Sequence, residues 1–294
     1  MSQPPKGTVL ITGTSSGIGH ATALRLDRSG YRVFAGVRKE ADAATLRREG
    51  SPRLSPLILD ITKQEQIDAA AACVGQAIGP DAGLLALINN AGTCEPGPIE
   101  FISLERFRWQ MEVNLFGHVA MIQAFMPLVR RGRGRIINVA SATGRFAIPM
   151  LGAYVASKSA MEGMSDALRR ELRWWGIPVS IIEPGTVEAA LWDKTPDSAE
   201  KLPEGHGQDK EGLYDELGEA VRRLMQRGRS VAVQPEALAE VIQKAVEARR
   251  PKARYRRGPG SWMAVMGSRM PEWLTDWIVE KILRGRLPTK LMGW

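Results

Sequence analysis

The chain of 294 residues is 44% hydrophobic and 24% charged, enough apolar material for a full core and too much for disorder to describe it. Its net charge of +8 is localised: residues 249–294 hold 11 basic and 3 acidic side chains, so residues 1–248 balance, which excludes the evenly basic fold of a nucleic-acid binder. Cys73 and Cys94, with His20, His118 and His206, lie too far apart for a disulfide framework or a metal site, so no metal is expected.

Up to residue 190, short apolar runs alternate with longer amphipathic segments, the pattern of parallel strands joined by crossover helices. In chain order the strands are predicted at Thr8 to Thr12, Arg32 to Val37, Ser55 to Asp60, Leu84 to Asn89, Arg135 to Ala140 and Val179 to Glu183. Helices are predicted at Ile18 to Ser29, Lys63 to Ile78, Ser103 to Arg130 and Gly152 to Trp175. Nearly continuous apolar strands imply a sheet covered on both faces, an open doubly wound α/β architecture. After Pro184 the texture changes: Asp193 to Gly212, rich in Pro, Gly, Asp and Lys, reads as a mobile loop, and helices resume at Tyr214 to Gln226 and Pro235 to Arg249. The expected organisation is a dinucleotide-binding and catalytic core over 1–190, a substrate loop and closing helices of the same domain over 191–248, and a basic amphipathic helical extension over 249–294.

The first predicted strand runs into TGTSSGIG, Thr12 to Gly19, which opens a helix. Gly13 permits a tight turn, Gly17 admits a pyrophosphate to the backbone and Gly19 allows helix to pack on strand, while the helix N-terminus offers free N–H groups. The same glycines would also serve an ordinary turn. Strand before and helix after make this a Rossmann-type site, although its first interval is one residue longer than the common fingerprint. At the end of the second strand, Arg38 stands where an NAD site usually carries an acid; a guanidinium suits a 2′-phosphate, with Ser15 or Ser16 adding hydroxyls. NADP is therefore the expected cofactor and NAD the alternative, on which Arg38 is only a solvated strand-end residue.

Asn114 and Gly117 are poor interior helix residues and predict a local distortion. Ser141 follows the fifth strand, at the sheet edge where such folds hold ligands. Tyr154 and Lys158, four apart on one helix face, bring an ammonium towards a phenol; that charge favours the phenolate and lowers a pKa of about 10 in isolation.

Singly these residues are common. In order, TGTSSGIG, Asp60, NNAG at Asn89 to Gly92, Asn114, Ser141, YVASK and PGT at Pro184 to Thr186 closely resemble the short-chain dehydrogenase/reductase family over nearly two thirds of the chain. The resemblance implies that Tyr154 is the acid/base on the substrate oxygen and that Ser141 binds that oxygen. It implies that Lys158 tunes the tyrosine and holds the nicotinamide ribose, and that Asn114 anchors a water-linked proton relay. By the same resemblance Ile18 belongs to the phosphate turn, Asp60 and Ile61 flank the adenine, Asn90, Ala91 and Gly92 line the adenosine ribose, and Pro184, Gly185, Thr186 and Val187 border the nicotinamide. Alone, Asp60 would read as a helix cap and NNAG as a turn.

VFAGVRKE, DALRRELRWWGIPVSIIEPGTV and RYRRGP are similar to the hydroxysteroid, retinol and 3-hydroxybutyrate dehydrogenase group. Phe146, Ile148, Met150 and Leu151 suggest a pocket for an apolar alcohol or ketone, whereas Arg145 fits either a substrate carboxylate or a solvated loop. In the extension, Trp273, Leu274, Trp277, Ile278 and Ile282 form one stripe that needs an apolar partner: the body, another subunit or a bilayer surface. RRPKARYRRG before it would attract anionic lipid or is a solvated face. Met1 to Lys6 lacks an apolar signal core, and no run approaches the ~20 apolar residues of a bilayer span. A cytoplasmic homodimer or homotetramer, open to peripheral membrane contact, is expected. The leading reading is an NADP(H)-dependent oxidoreductase for steroid, retinoid or lipid alcohols. The competing readings are an NAD-dependent 3-hydroxy acid dehydrogenase, a nucleotide-sugar epimerase or dehydratase, and a non-catalytic dinucleotide-binding scaffold.

Overall fold

The computed structural model describes residues 5–188 and 212–288. Its seven strands are β1 (Thr8–Ile11), β2 (Arg32–Val37), β3 (Leu54–Ile58), β4 (Ala86–Asn89), β5 (Arg135–Val139), β6 (Val179–Pro184) and β7 (Arg254–Arg257). They form one parallel sheet in the order β3-β2-β1-β4-β5-β6-β7. The chain reverses its direction of winding between β1 and β4, and ligands of open α/β sheets lie beyond the strand ends at such a point. Strands β1, β4 and β6 are buried throughout, as the near-continuous apolar runs anticipated.

Two cores fill the two faces. Leu26 of α1 (Gly17–Arg28) and Leu46 of α2 (Glu40–Glu49) share one with Ile242 of α8 (Pro235–Glu247). Ile67 of α3 (Gln64–Ile78) and Phe125 of α5 (Gly117–Arg131) form the other with Leu172 of α6 (Gly152–Leu172). The helix read as Ser103 to Arg130 is divided: α4 (Leu104–Met111), a π turn over Glu112–Phe116, then α5. This is the distortion that Asn114 and Gly117 predict. By length and composition Leu104–Arg131 could cross a bilayer, but 50% of its apolar window is buried in the fold, as befits a core helix.

Three elements escape the sequence pattern. α2 has only Ala43 and Leu46 as a buried stripe, and α9 (Ser261–Gly267) is too short to show a period. The third is β7, which corrects the reading of Arg254 and Arg256 within the basic run, whose Arg249, Arg250, Lys252 and Arg257 are exposed. Arg254 binds Glu162, Asp166 and Glu183, and Arg256 pairs with Glu183, so these arginines are neither a solvated face nor free for lipid. Beyond α7 (Asp215–Ser230), the last described helix is α10 (Glu272–Leu283). Its predicted stripe splits: Ile282 is buried against Leu224 and Ile278 packs beside it, while Trp273 and Trp277 are 70% and 48% exposed. The expected loop Asp193 to Gly212 lies outside the described residues except for its last position.

Candidate active site

The phosphate turn is built by close backbone approach. Gly13 has φ +69°, and a Cβ there would stand 2.6 Å from Ala91 Cα. Across this contact Thr12 Oγ1 accepts from the N–H groups of Asn90 and Ala91 at 3.0 and 3.1 Å, and Asn90 Nδ2 donates to the Thr12 and Gly13 carbonyls, both at 3.0 Å. The start of α1 thus faces the NNAG turn. Asp60 Oδ1 accepts from the Thr62 N–H and hydroxyl at 3.0 and 2.8 Å, closing the turn after β3.

The π turn replaces i+4 bonding by i+5, with Gly117 N–H reaching Glu112 O, and turns Asn114 inward. Asn114 is fully buried; its Nδ2 donates to Thr93 O and Ser157 Oγ, each at 3.0 Å, and its Oδ1 accepts from Thr93 N–H at 2.8 Å. Ser157 Oγ in turn donates to Tyr154 O at 2.7 Å. The π turn and α6 are therefore tied beneath the site.

Tyr154 and Lys158 face one cleft of about 480 Å³. The cleft brings together Gly13, Ser15, Ser16, Gly17, Ile18, Gly19, Arg38, Asp60, Ile61, Asn90, Ala91, Gly92, Ser141, Tyr154, Lys158, Pro184, Gly185, Thr186 and Val187. Asn114 does not line it and sits behind. Ser141 Oγ accepts from the Thr143 N–H and hydroxyl at 3.2 and 2.9 Å, and Ser141 favours the ionised form of the Tyr154 phenol. Lys158 Nζ donates to Val139 O at 3.0 Å and lies 5.8 Å from the centre of the Tyr154 ring. Burial draws the ammonium down to about 8. Burial likewise raises the phenol above its ordinary value, the negative form of Cys94 opposes its ionisation, and only Ser141 pulls it back. The lowering expected from Lys158 is absent, and desolvation dominates the phenol when the cleft holds protein groups alone.

The family described as short chain dehydrogenase matches residues 7–200. The chain belongs to the short-chain dehydrogenases. It is 37% identical to 17-beta-hydroxysteroid dehydrogenase type 6 of Bos taurus over 280 residues, covering 93% of this chain and 87% of that one. To retinol dehydrogenase 7 of Mus musculus it is 35% identical over 273 residues, 91% of this chain and 86% of that one. Among solved structures, a short-chain dehydrogenase from Streptomyces avermitilis superposes with TM-score 0.76 at 28% identity, covering 96% and 99% of the two chains. Another from Burkholderia cenocepacia J2315, in complex with NADP, gives 0.71 at 25% identity over 95% and 99%. Short-chain dehydrogenases are NAD(P)-dependent oxidoreductases, and this one carries the group's fold over its full sheet.

The substrate end of this dehydrogenase holds Phe146, Ile148 and Leu151 as expected, with Ile278 of the predicted apolar stripe and with Met225, Met263, Met266 and Met270, which no sequence motif marked. They arrive only because α7, α9 and α10 fold across the mouth. Met150 is corrected: it does not line the cleft, has φ +67° and lends its carbonyl to Gly97 N–H at 2.7 Å. Arg145 is corrected too. It donates to Glu183 at 2.7 Å and Glu162 at 3.3 Å, so it is committed inside the protein instead of awaiting a carboxylate or facing solvent. The hydroxy-acid alternative thereby loses the residue that supported it.

Proposed function

We propose that the protein interconverts an alcohol and a carbonyl on an elongated apolar substrate of steroid, retinoid or lipid type, using NADP(H). The observation that carries this reading is the Tyr154 phenol in the cleft that Ser141 and Lys158 also line, with Lys158 one helical turn away. The nicotinamide, when bound, supplies or accepts the hydride. In reduction Tyr154 gives its proton to the carbonyl oxygen, and Ser141 holds that oxygen in line. The Lys158 ammonium stabilises the phenolate left behind, and Asn114 fixes the turn on which Lys158 depends. Apolar side chains exclude water around these polar groups.

Arg38 supports NADP: it is exposed, lines the phosphate end of the cleft and has no ion-pair partner among the described residues. The Met-rich walls favour a rigid hydrocarbon body over a charged one. Phe116, 54% exposed and outside the cleft, offers a self-association contact for a homodimer or homotetramer. The exposed Trp273 and Trp277 suit peripheral membrane contact. Tyr154→Phe tests the assignment: NADPH binding, followed by fluorescence, is expected to persist while turnover of hydroxysteroids and retinoids falls by about 10³-fold or more. Turnover near the wild-type rate in that variant removes Tyr154 from the reaction.

A further inference from the structure

His118 lies one turn beyond Asn114, at the start of α5, and is wholly buried. Its neighbour fixes its position. A Cβ on Gly117 would stand 2.6 Å from Ile61 O, so only glycine lets the helix seat this deeply, and residue 118 is carried beneath the NNAG turn. His118 Nε2 is 2.8 Å from Ala91 O. A carbonyl only accepts, so Nε2 must carry the proton. Burial first, and the Lys158 charge second, hold the imidazole down at about 3 against the gain from the Ala91 bond, so the ring is neutral at working pH. Nδ1 is then an acceptor, enclosed and without a hydrogen-bond partner among the described residues.

The peptide that His118 grips belongs to the site. Thr12 Oγ1 holds the Ala91 N–H and His118 its carbonyl, so the peptides on either side of residue 91 are each held once. Next in the chain is Gly92, where a Cβ would lie 3.5 Å from Asn114 Oδ1 and 3.8 Å from Lys158 Nζ. Beyond it Thr93 is bonded to Asn114 through both its N–H and its carbonyl, and a slackened Ala91 carbonyl would loosen that tie.

We propose that His118 is a positioning residue: as the neutral Nε2–H tautomer it fixes the Ala91–Gly92 peptide against Asn114 and Lys158, while its Nδ1 accepts from one buried water. The cofactor cradle and the catalytic helix are thereby set by one ring that touches neither substrate nor nicotinamide. The inference rests on the reading of Asn114 and Lys158 as members of the reacting set.

Two measurements on the full chain test it. In ¹⁵N-histidine NMR, the ring signals lost on His118→Gln are expected to report, in the parent protein, the neutral Nε2–H tautomer with a hydrogen-bonded Nδ1. An Nδ1–H tautomer or an imidazolium at neutral pH overturns the proposal. His118→Leu is expected to weaken NADPH binding and lower kcat by about tenfold each, because a buried carbonyl loses its donor. His118→Gln, whose amide reaches the same carbonyl, is expected to recover most of both. Equal loss in the two variants, which volume alone would explain, or no loss in either, overturns it. NMR and NADPH titration need no turnover, so their failure is distinct from a failure of the Tyr154→Phe test.

Discussion

At the scale of single residues, the site works through groups whose charge the fold makes costly. Lys158 is buried and drawn down to about 8, so in the folded protein its ammonium is lost well below the ~10.4 of a free lysine. Between those values the unfolded chain binds more protons than the folded one, and stability therefore rises with pH. Cofactor-free protein is expected to gain stability in urea from pH 8 to 10, and Lys158→Met to flatten that rise; an identical slope in the variant would mean another group titrates. The same residue sets a kinetic limb. Ketone reduction needs the ammonium beside the departing proton, so kcat/KM with NADPH is expected to fall as pH passes about 8. Arg38 offers a separate lever, since removing a guanidinium and adding a carboxylate repels a 2′-phosphate and welcomes a ribose diol. Arg38→Asp is expected to turn the NADPH:NADH preference around by about two orders of magnitude in kcat/KM, each partner of a charge-assisted pair contributing about 1.5–3 kcal/mol. An unchanged ratio assigns the phosphate to another residue.

At the scale of elements, β7 is what the sheet needs to bury two carboxylates. Glu183 on β6 and Glu162 on α6 are 1% and 7% exposed. Glu162 has its carboxyl raised first by desolvation and then by Glu183, with Arg254 and Arg145 opposing. Arg254→Met removes a guanidinium shared by Glu162, Glu183 and Asp166 and is expected to cost about 3–5 kcal/mol in urea unfolding. Adding Glu162→Gln should return part of that, because the remaining Arg145 and Arg256 would then face one buried negative charge fewer. Such a strand was illegible in the sequence: Arg, Tyr, Arg, Arg reads as surface until its acidic partners, some 70 to 90 residues earlier, are folded beside it. The five inner strands could be read because burial on both faces leaves an apolar signature within each segment. The cofactor turn was legible for a similar reason, since Gly13, Gly19 and Asn90 answer to local backbone geometry. Met225, Met263 and Met270 were not, because their approach to Tyr154 is decided by how three distant helices pack.

At the scale of the whole molecule, the tail closes the cleft with one side and leaves its aromatic side outward. Met266 and Met270 both line the cleft and are 55% and 37% exposed, so the mouth opens onto the surface that carries Trp262, Trp273 and Trp277. Arg269 and Arg286 are exposed near by, within a segment that holds the chain's whole positive excess. Tryptophan beside exposed basic residues favours the headgroup layer of an anionic membrane, and that attraction weakens with salt. Trp273→Ser with Trp277→Ser is expected to lower co-sedimentation with phosphatidylserine vesicles about tenfold. NADPH affinity is expected to stay as it was, since neither tryptophan lines the cleft. Should vesicle binding survive while light scattering shows a smaller particle, the same face joins two copies of the chain. Ile278→Ser acts from the opposite side of the helix, where the residue lines the cleft. It is expected to raise KM for apolar alcohols with vesicle binding retained, and the contrast between the two variants separates the wall that holds substrate from the surface that meets lipid.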